Sequence, residues 1–419
     1  MKNITFYLIV LLCLISILNV SGADWTKWRG PNANSMSDET GWNPKALENN
    51  PNILWETNIG MGHSSFAIKG DRLYTVGEKE ITTDRDTTTV EVVYCLNVKN
   101  GQEIWQYAFP ARHVRWPGPA STPVLDVSSL FYMNRDGTIY CFDANKGNVR
   151  WRRDLVTENI SSYTGWGFCN SPVIEGEILI LNVAESGLAL DKKTGKTIWA
   201  STSVPGWVAS PTLFDYNGKR LAALITNRIL NVVDIKTGEI QWSHPWNSDS
   251  DATMVGTTML LVGNHRNPGS SLLDIKDGKP EEIWKSRNVR HTYQNPVIID
   301  GYAYTFGYLR TNNIMPFVCF DMKTGDIKWN EILGDYNQQG ALMAANGKLI
   351  ILSVDGELII AELSPEGFKP ISRAQIFKLE PHRSYPDGEP HCCWTAPVLS
   401  NGKLFARTTY GNMVCIDMK

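Results

Sequence analysis

The sequence predicts an all-β chain folded as an eight-bladed β-propeller of four-stranded antiparallel blades, closed by pairing of the N- and C-terminal strands. Three observations carry that prediction: one motif recurs along the chain, a hairpin signal lies between successive copies, and the two ends each hold part of one unit. The motif is complete at Ala189–Trp199, Ala-Leu-Asp-Lys-Lys-Thr-Gly-Lys-Thr-Ile-Trp. Asp191 is placed to accept hydrogen bonds from turn amides, and Gly195 takes the positive φ that a side chain resists. Trp199 returns a large apolar area to the protein at one fixed spot. The Asp-type position recurs at 97, 143, 191, 234, 274, 321, 362 and 417, a period of 40 to 55 residues. Self-similarity at that period, built from short strands, is the signature of a propeller.

Composition agrees. A chain of 419 residues with 42% hydrophobic content can bury a large core, and the repeats overrule the two or three domains that length alone suggests. A net charge of −3 gives no reason to expect nucleic acid or an anionic membrane as partner.

Residues 1–23 read as a cleaved export signal, with Lys2 as the basic end, Ile4–Val20 as the apolar core and Ser21-Gly22-Ala23 ahead of the cut; the rival reading is an uncleaved anchor, since 17 apolar-rich residues approach a membrane span. No membrane span remains after cleavage, and the protein is expected in the periplasm or outside the cell, as a monomer. Cys13 follows Leu12, where a lipoprotein signal wants a small residue, so lipidation is not expected. Cys95, Cys141, Cys319 and Cys415 occupy one slot of the repeat in different blades and should stay unpaired.

Residues 24–51 lack repeat character, and Trp25, Trp28 and Trp42 suggest an arm packed on the propeller of residues 52–419. Ile53-Leu-Trp55 looks like the strand that follows the turn in every other copy, so Ile53–Thr57 should pair with Met413–Asp417. Closure of that kind removes the exposed edges of an open array. Inner strands are expected near Ser65, Thr122, Ser171, Ser210, Thr253, Asn295, Ala341 and Ala396, five of them opened by a residue followed by Pro. Asn217-Gly218, Asp300-Gly301, Asn346-Gly347 and Asn401-Gly402 then turn each chain back on itself. The seventh copy has Ile371 at the expected Trp place, with Pro365 and Pro370 nearby, and should be the weakest blade.

The pattern Ala-x-Asp-x-x-Thr-Gly-x-x-x-Trp at Ala189–Trp199 resembles the repeat of the eight-bladed quinoprotein-type propellers. Asp24-Trp-Thr-Lys-Trp-Arg-Gly-Pro31 is similar to the opening of the secreted bacterial PQQ-like repeat proteins of that group. The resemblance spans about Asp24–Lys419 and implies the fold; its superfamily holds both PQQ-dependent dehydrogenases and non-catalytic scaffolds.

In this topology the long connections share one face and the short Lys-bearing turns the other. His63, Arg115, Trp116, Trp166, Trp207, Trp246, Arg290, His291, Tyr293, His391, Cys392, Cys393 and Trp394 all fall on the long-loop face. Histidines and indoles collected at a funnel mouth suit a flat or anionic ligand, with Arg115 and Arg290 supplying charge. Lys193 and Lys236, on the other face, should be indifferent to it. Adjacent Cys392-Cys393 has a counterpart in the resemblance, because quinoprotein alcohol dehydrogenases hold a disulfide between neighbouring cysteines against PQQ. That disulfide lies early in their propeller, whereas this pair enters the last blade. The family's calcium-binding Glu and Asn and its catalytic Asp find no match, and Asp249 and Asp251 are the nearest substitutes.

Two readings follow. The first is an exported non-catalytic propeller, without cofactor, that binds a protein, glycan or small ligand in its funnel. The second is a dehydrogenase of alcohols or sugars using PQQ and calcium.

Overall fold

The computed structural model describes residues 24–82, 87–112, 118–163, 165–205, 207–226, 228–263, 269–276, 278–290, 294–309, 315–334, 339–378 and 393–419. Eight four-stranded antiparallel blades follow one another around an axis, and the described residues contain no helix. Inner strands begin at Ala67, Val124, Val173, Thr212, Thr253, Val297, Ala341 and Val398, which open blades 1 to 8 in that order. Blade 8 is completed from the other end of the chain: Ile53–Asn58 lies outermost and pairs antiparallel with Asn412–Asp417, setting Trp55 opposite Cys415. The predicted closure is therefore the observed one.

The repeat motif works between blades rather than within one. Asp191 accepts the amides of Lys193 and Thr194 and the Thr194 hydroxyl, which holds its carboxyl below the ordinary range. The indole of one blade then reaches the turn of the next. Trp55 donates to the Val98 carbonyl, Trp105 to Ala144, Trp151 to Lys192, Trp199 to Ile235, Trp284 to Met322 and Trp329 to Ser364, all at 2.8–3.1 Å. The turn glycine lies flat beneath that indole. A Cβ on Gly195 would stand 2.8 Å from the Trp151 ring, and one on Gly238 2.6 Å from Trp199. Gly is thus required twice, for its φ of +71° at Gly195 and for the ring lying on it.

Two junctions depart from this rule. Between blades 4 and 5 the Tyr216 hydroxyl, not an indole, bonds the turn carbonyl of Lys276. Between blades 7 and 8 the outer strand of blade 7 supplies no indole. Strand pairing sets Ser372, not Ile371, at the Trp position, opposite Ile360, because the turn runs ten residues from Glu362 to this position where it runs eight from Asp191 to Trp199. Ser372 Oγ bonds the Pro44 carbonyl at 2.5 Å, and the Asn43 amide bonds the Met418 carbonyl at 2.6 Å. The arm itself fills the junction, with Trp42 and Leu47 buried in the core that joins blades 7, 8 and 1.

The arm also runs across the inner strands on the short-turn side. Trp25 bridges Ile68 of blade 1, the Thr26 carbonyl accepts Leu125 N of blade 2, and Met36–Ser37 adds a parallel strand to Ala341–Ala345 of blade 7. Glu39 then takes the Asn401 and Gly402 amides of blade 8. Cys95, Cys141, Cys319 and Cys415 are buried and unpaired, and burial pushes their thiols up, to about 11 at Cys141 and Cys319 and about 12 at Cys415.

Candidate functional site

The residue two places before each inner strand faces the axis. From blade 1 to blade 6 these are Ser65, Thr122, Ser171, Ser210, Asp251 and Asn295, and they bond one another in sequence. Ser65 N donates to Thr122 Oγ1 at 3.0 Å, Thr122 N to Ser171 Oγ at 2.8 Å, and Ser171 N to Ser210 Oγ at 2.9 Å. Ser210 N donates to Asp251 Oδ1 at 2.6 Å, and Asn295 Nδ2 closes on the Asp251 carbonyl at 2.8 Å. A hydroxyl at this place satisfies the amide of the preceding blade, a need that buried backbone donors carry everywhere. At blades 7 and 8 the equivalents are Gln339 and Ala396, and neither extends the arc among the described residues. The Ser-Pro and Thr-Pro pairs were visible in the sequence but read there only as strand starts.

Asp251 carries a carboxylate where its neighbours carry hydroxyls. It is buried, and the arm reaches it: Trp28 Nε1 donates to Oδ2 at 2.9 Å and Arg29 Nη1 stands 3.8 Å from the same atom. Burial raises its carboxyl, and Arg29 opposes that rise.

The long-loop face holds the expected site residues that are described. The His63 ring lies 5.7 Å from Trp394, tilted by 33°, and the His63 carbonyl accepts Thr395 Oγ1. Gln294 donates to the Trp394 carbonyl, so residues leading into blades 1, 6 and 8 meet there. Trp207 Nε1 donates to the Ser248 carbonyl at 2.6 Å, and its own carbonyl accepts Asn170 Nδ2, joining blades 3, 4 and 5. Trp166 is half-buried, and Arg290 is half-buried in the short strand Val289–Arg290.

Trp246 is a correction. It was expected at the mouth, yet it is 2% exposed inside the core of blades 4 and 5, with His244 stacked on it at 6.4 Å and Lys285 Nζ at 5.6 Å. Its amide is held by the Arg228 carbonyl and its ring packs into the cluster with Leu230, Trp242 and Leu261 rather than facing the funnel. Cys393 is also fully buried in the core. Arg115, Trp116, His291, Tyr293, His391 and Cys392 lie outside the described residues.

A calcium–quinone pair needs a cluster of ligating side chains at the mouth. No group of three His, Cys, Asp or Glu able to hold a metal occurs among the described residues. Asp251, one of the two expected substitutes, is already engaged by Trp28 and Ser210, with Arg29 3.8 Å away. The described residues do not fit the pair.

One further element distinguishes this face. In blade 1 the strands Arg72–Thr82 and Thr87–Asn97 have 11 residues each, against four to seven in the matching strands elsewhere. The extra length carries the hairpin on the order of 15 Å past the rim. At its base Arg135 of blade 2 bridges Glu78 and Glu91, and Tyr132 donates to Glu91.

Comparison with known proteins agrees with the geometry. The family model described as outer membrane protein assembly factor BamB matches residues 89–259 and 135–365, together well over half of the chain. The assembly factor BamB of Moranella endobia is 21% identical over 62% of this chain and 69% of its own length. A tetrathionate hydrolase of Acidithiobacillus ferrooxidans is 29% identical, but over only 41% of this chain and 37% of its own. Among solved structures, BamB of Moraxella catarrhalis superposes with a TM-score of 0.59 at 17% identity, covering 87% of this chain and 98% of that one. The quinohemoprotein alcohol dehydrogenase of Comamonas testosteroni gives 0.65 at 11% identity, covering 94% and 80%. The chain belongs to the PQQ-like repeat propellers of the BamB family.

Proposed function

We propose that this protein is an exported, non-catalytic propeller scaffold that binds a protein partner on its long-loop face, in the service of envelope assembly. The observation that carries the reading is the hairpin of blade 1. Its outer part, Lys79–Thr82, is exposed, includes Ile81 at 49% exposure, and pairs only with its own partner strand among the described residues. An unpaired strand edge with an apolar side chain is a ready surface for strand addition by another chain. The neighbouring rim adds Arg112 stacked 4.0 Å over Tyr163, and the His63–Trp394 pair adds aromatic surface at the funnel. Aromatic and Arg side chains are the usual anchors of such interfaces. Family membership and the relatives named as outer membrane protein assembly factors support a protein partner.

Photo-crosslinking residues placed at Ile81 and Trp394, with Lys193 as the control on the opposite face, test the proposal in the source cell. Adducts to one defined envelope protein are expected from the first two positions only. Equal labelling from Lys193, or none from either rim position, would overturn it. So would dye-linked alcohol oxidation by the purified protein on addition of PQQ and calcium.

A further inference from the structure

The short-turn face was expected to be inert, yet it contains a cavity of about 310 Å³ between the arm and blades 3 and 4. That volume lies at the small end of ligand pockets. Its walls combine apolar, cationic and acidic surface, the last from Glu175 and Asp251. Trp28 with Pro31, Pro172 and Pro211 gives flat apolar surface, and Lys27, Arg29 and Arg220 bring cationic groups.

The charges are unevenly committed. Arg220 is paired with Glu175 at 3.0 Å and Asp215 at 2.9 Å. Arg29 is 4% exposed, but its contacts are all long: 3.4 Å to Ser35 Oγ, 3.4 Å to Thr253 Oγ1 and 3.8 Å to Asp251. Charge-assisted bonds ordinarily close to about 2.7–2.9 Å. Lys27 is half-buried and makes no ion pair within 4 Å among the described residues; Glu175 acts on it only at longer range. Burial draws both Lys27 and Arg29 below their ordinary values, with Glu175 and Asp251 opposing. The cavity thus holds a guanidinium with only long contacts and an ammonium without an ion pair, facing two carboxylates, Glu175 and Asp251, of which the first is held by Arg220.

We propose that this cavity binds a small carboxylated sugar of the uronate class. Lys27 and Arg29 take its carboxylate, the indole of Trp28 and the prolines cover its C–H face, and Asn32 accepts from and donates to its hydroxyls, while Glu175 stays on Arg220. The arm supplies half of the site, so the ligand would also lock the arm onto the propeller. This site is independent of the partner surface on the long-loop face.

Titration of the whole protein with sodium glucuronate, followed by calorimetry and by melting temperature, tests the proposal. Saturable binding in the millimolar range or tighter is expected, with glucose and acetate at least about tenfold weaker. Lys27→Met should weaken glucuronate about tenfold or more, the equivalent of one lost charge-assisted hydrogen bond, while leaving the melting temperature without ligand unchanged. Glu175→Gln removes a competing carboxylate and should tighten the same titration. Absence of binding, equal binding of glucose or acetate, or unaltered affinity in Lys27→Met with a folded protein would each overturn the site.

Discussion

The junction between blades 3 and 4 and the junction between blades 7 and 8 solve one problem with material from different places. At the first, Trp199 covers Gly238 and bonds the Ile235 carbonyl, so both partners are written within one repeat of each other. At the second, the equivalent turn ends with the chain at Lys419, and Ser372 stands where an indole would. The Met418 carbonyl takes the Asn43 amide instead, and Trp42 fills the gap. A donor and a large apolar plate are needed at every junction. Only their source changes, from the preceding strand to a segment more than 300 residues away in sequence.

The largest effect should come from removing that distant source. Deleting residues 24–47 takes away Trp25 and Trp42, 2% and 6% exposed, together with the strand added to blade 7. The loss should exceed the roughly 3–5 kcal/mol of one buried large aromatic. Hydrogen exchange should accelerate first in Val398–Ser400 and Asn412–Asp417, the blade 8 strands beside the opened junction. An unchanged melting temperature would show that blades 7 and 8 hold together without the arm.

Within the regular junctions, the cost of losing the indole should follow its burial. Trp55 and Trp105 are each 8% exposed, whereas Trp151 and Trp199 are half-buried. Trp55→Ala and Trp105→Ala should each cost about 3–5 kcal/mol, and Trp199→Ala measurably less, since part of its ring keeps water. Equal losses in urea titrations would mean that the hydrogen bond to the next turn, common to all of them, sets the energy.

This contrast also explains what the sequence disclosed. The eight copies, the closing strand at Trp55 and the buried unpaired cysteines follow from local pattern, because each depends on residues a few places apart. The ring from Ser65 to Asn295 was half legible: its Ser-Pro and Thr-Pro pairs recur, but hydroxyl-to-amide bonding across blades appears only once strands are in register. Trp246 could not be separated from Trp207 by sequence, since both sit just before an inner strand and differ only in which way the loop turns. The path of the arm was illegible. Nothing in Asp24–Pro31 announces that Trp28 and Arg29 reach Asp251, because that contact spans more than 220 residues.

The base of the blade 1 hairpin offers a smaller, pH-dependent comparison. Arg135 serves two carboxylates, Glu78 and Glu91, and Glu91 is fully buried. Burial raises the Glu91 carboxyl from 4.5 to about 7, against the pull of Arg135 and Tyr132. The folded state therefore holds a proton that the unfolded chain has released between about pH 4.5 and pH 7. Stability from this group is complete below pH 4.5 and is lost as the pH rises through 7, by at most on the order of 3 kcal/mol. Glu91→Gln should flatten that part of the stability profile in urea titrations across the range. A slope of the same size in the variant would assign it to other groups.

The smallest effect concerns the inner hairpin turns, where seven blades set Asn, Asp or Gly at the first, positive-φ position and one sets Val. Asn217-Gly218, Asp300-Gly301, Asn346-Gly347 and Asn401-Gly402 turn with both residues at positive φ, 47° and 73° in the first pair. Blade 2 sets Val127 at a φ of +43°, a conformation that crowds a β-branched side chain. The Val127 side chain repays nothing, being 81% exposed, and its carbonyl still accepts Lys69 Nζ whatever the side chain is. Val127→Asn keeps the backbone course and relieves the strain, so it should stabilise the protein by about 1 kcal/mol, near the low end of the cost of such conformations. Val127→Gly should gain less, because glycine also frees the unfolded chain. A loss of stability in Val127→Asn would show that the exposed Val makes contacts in the folded protein that its exposure denies.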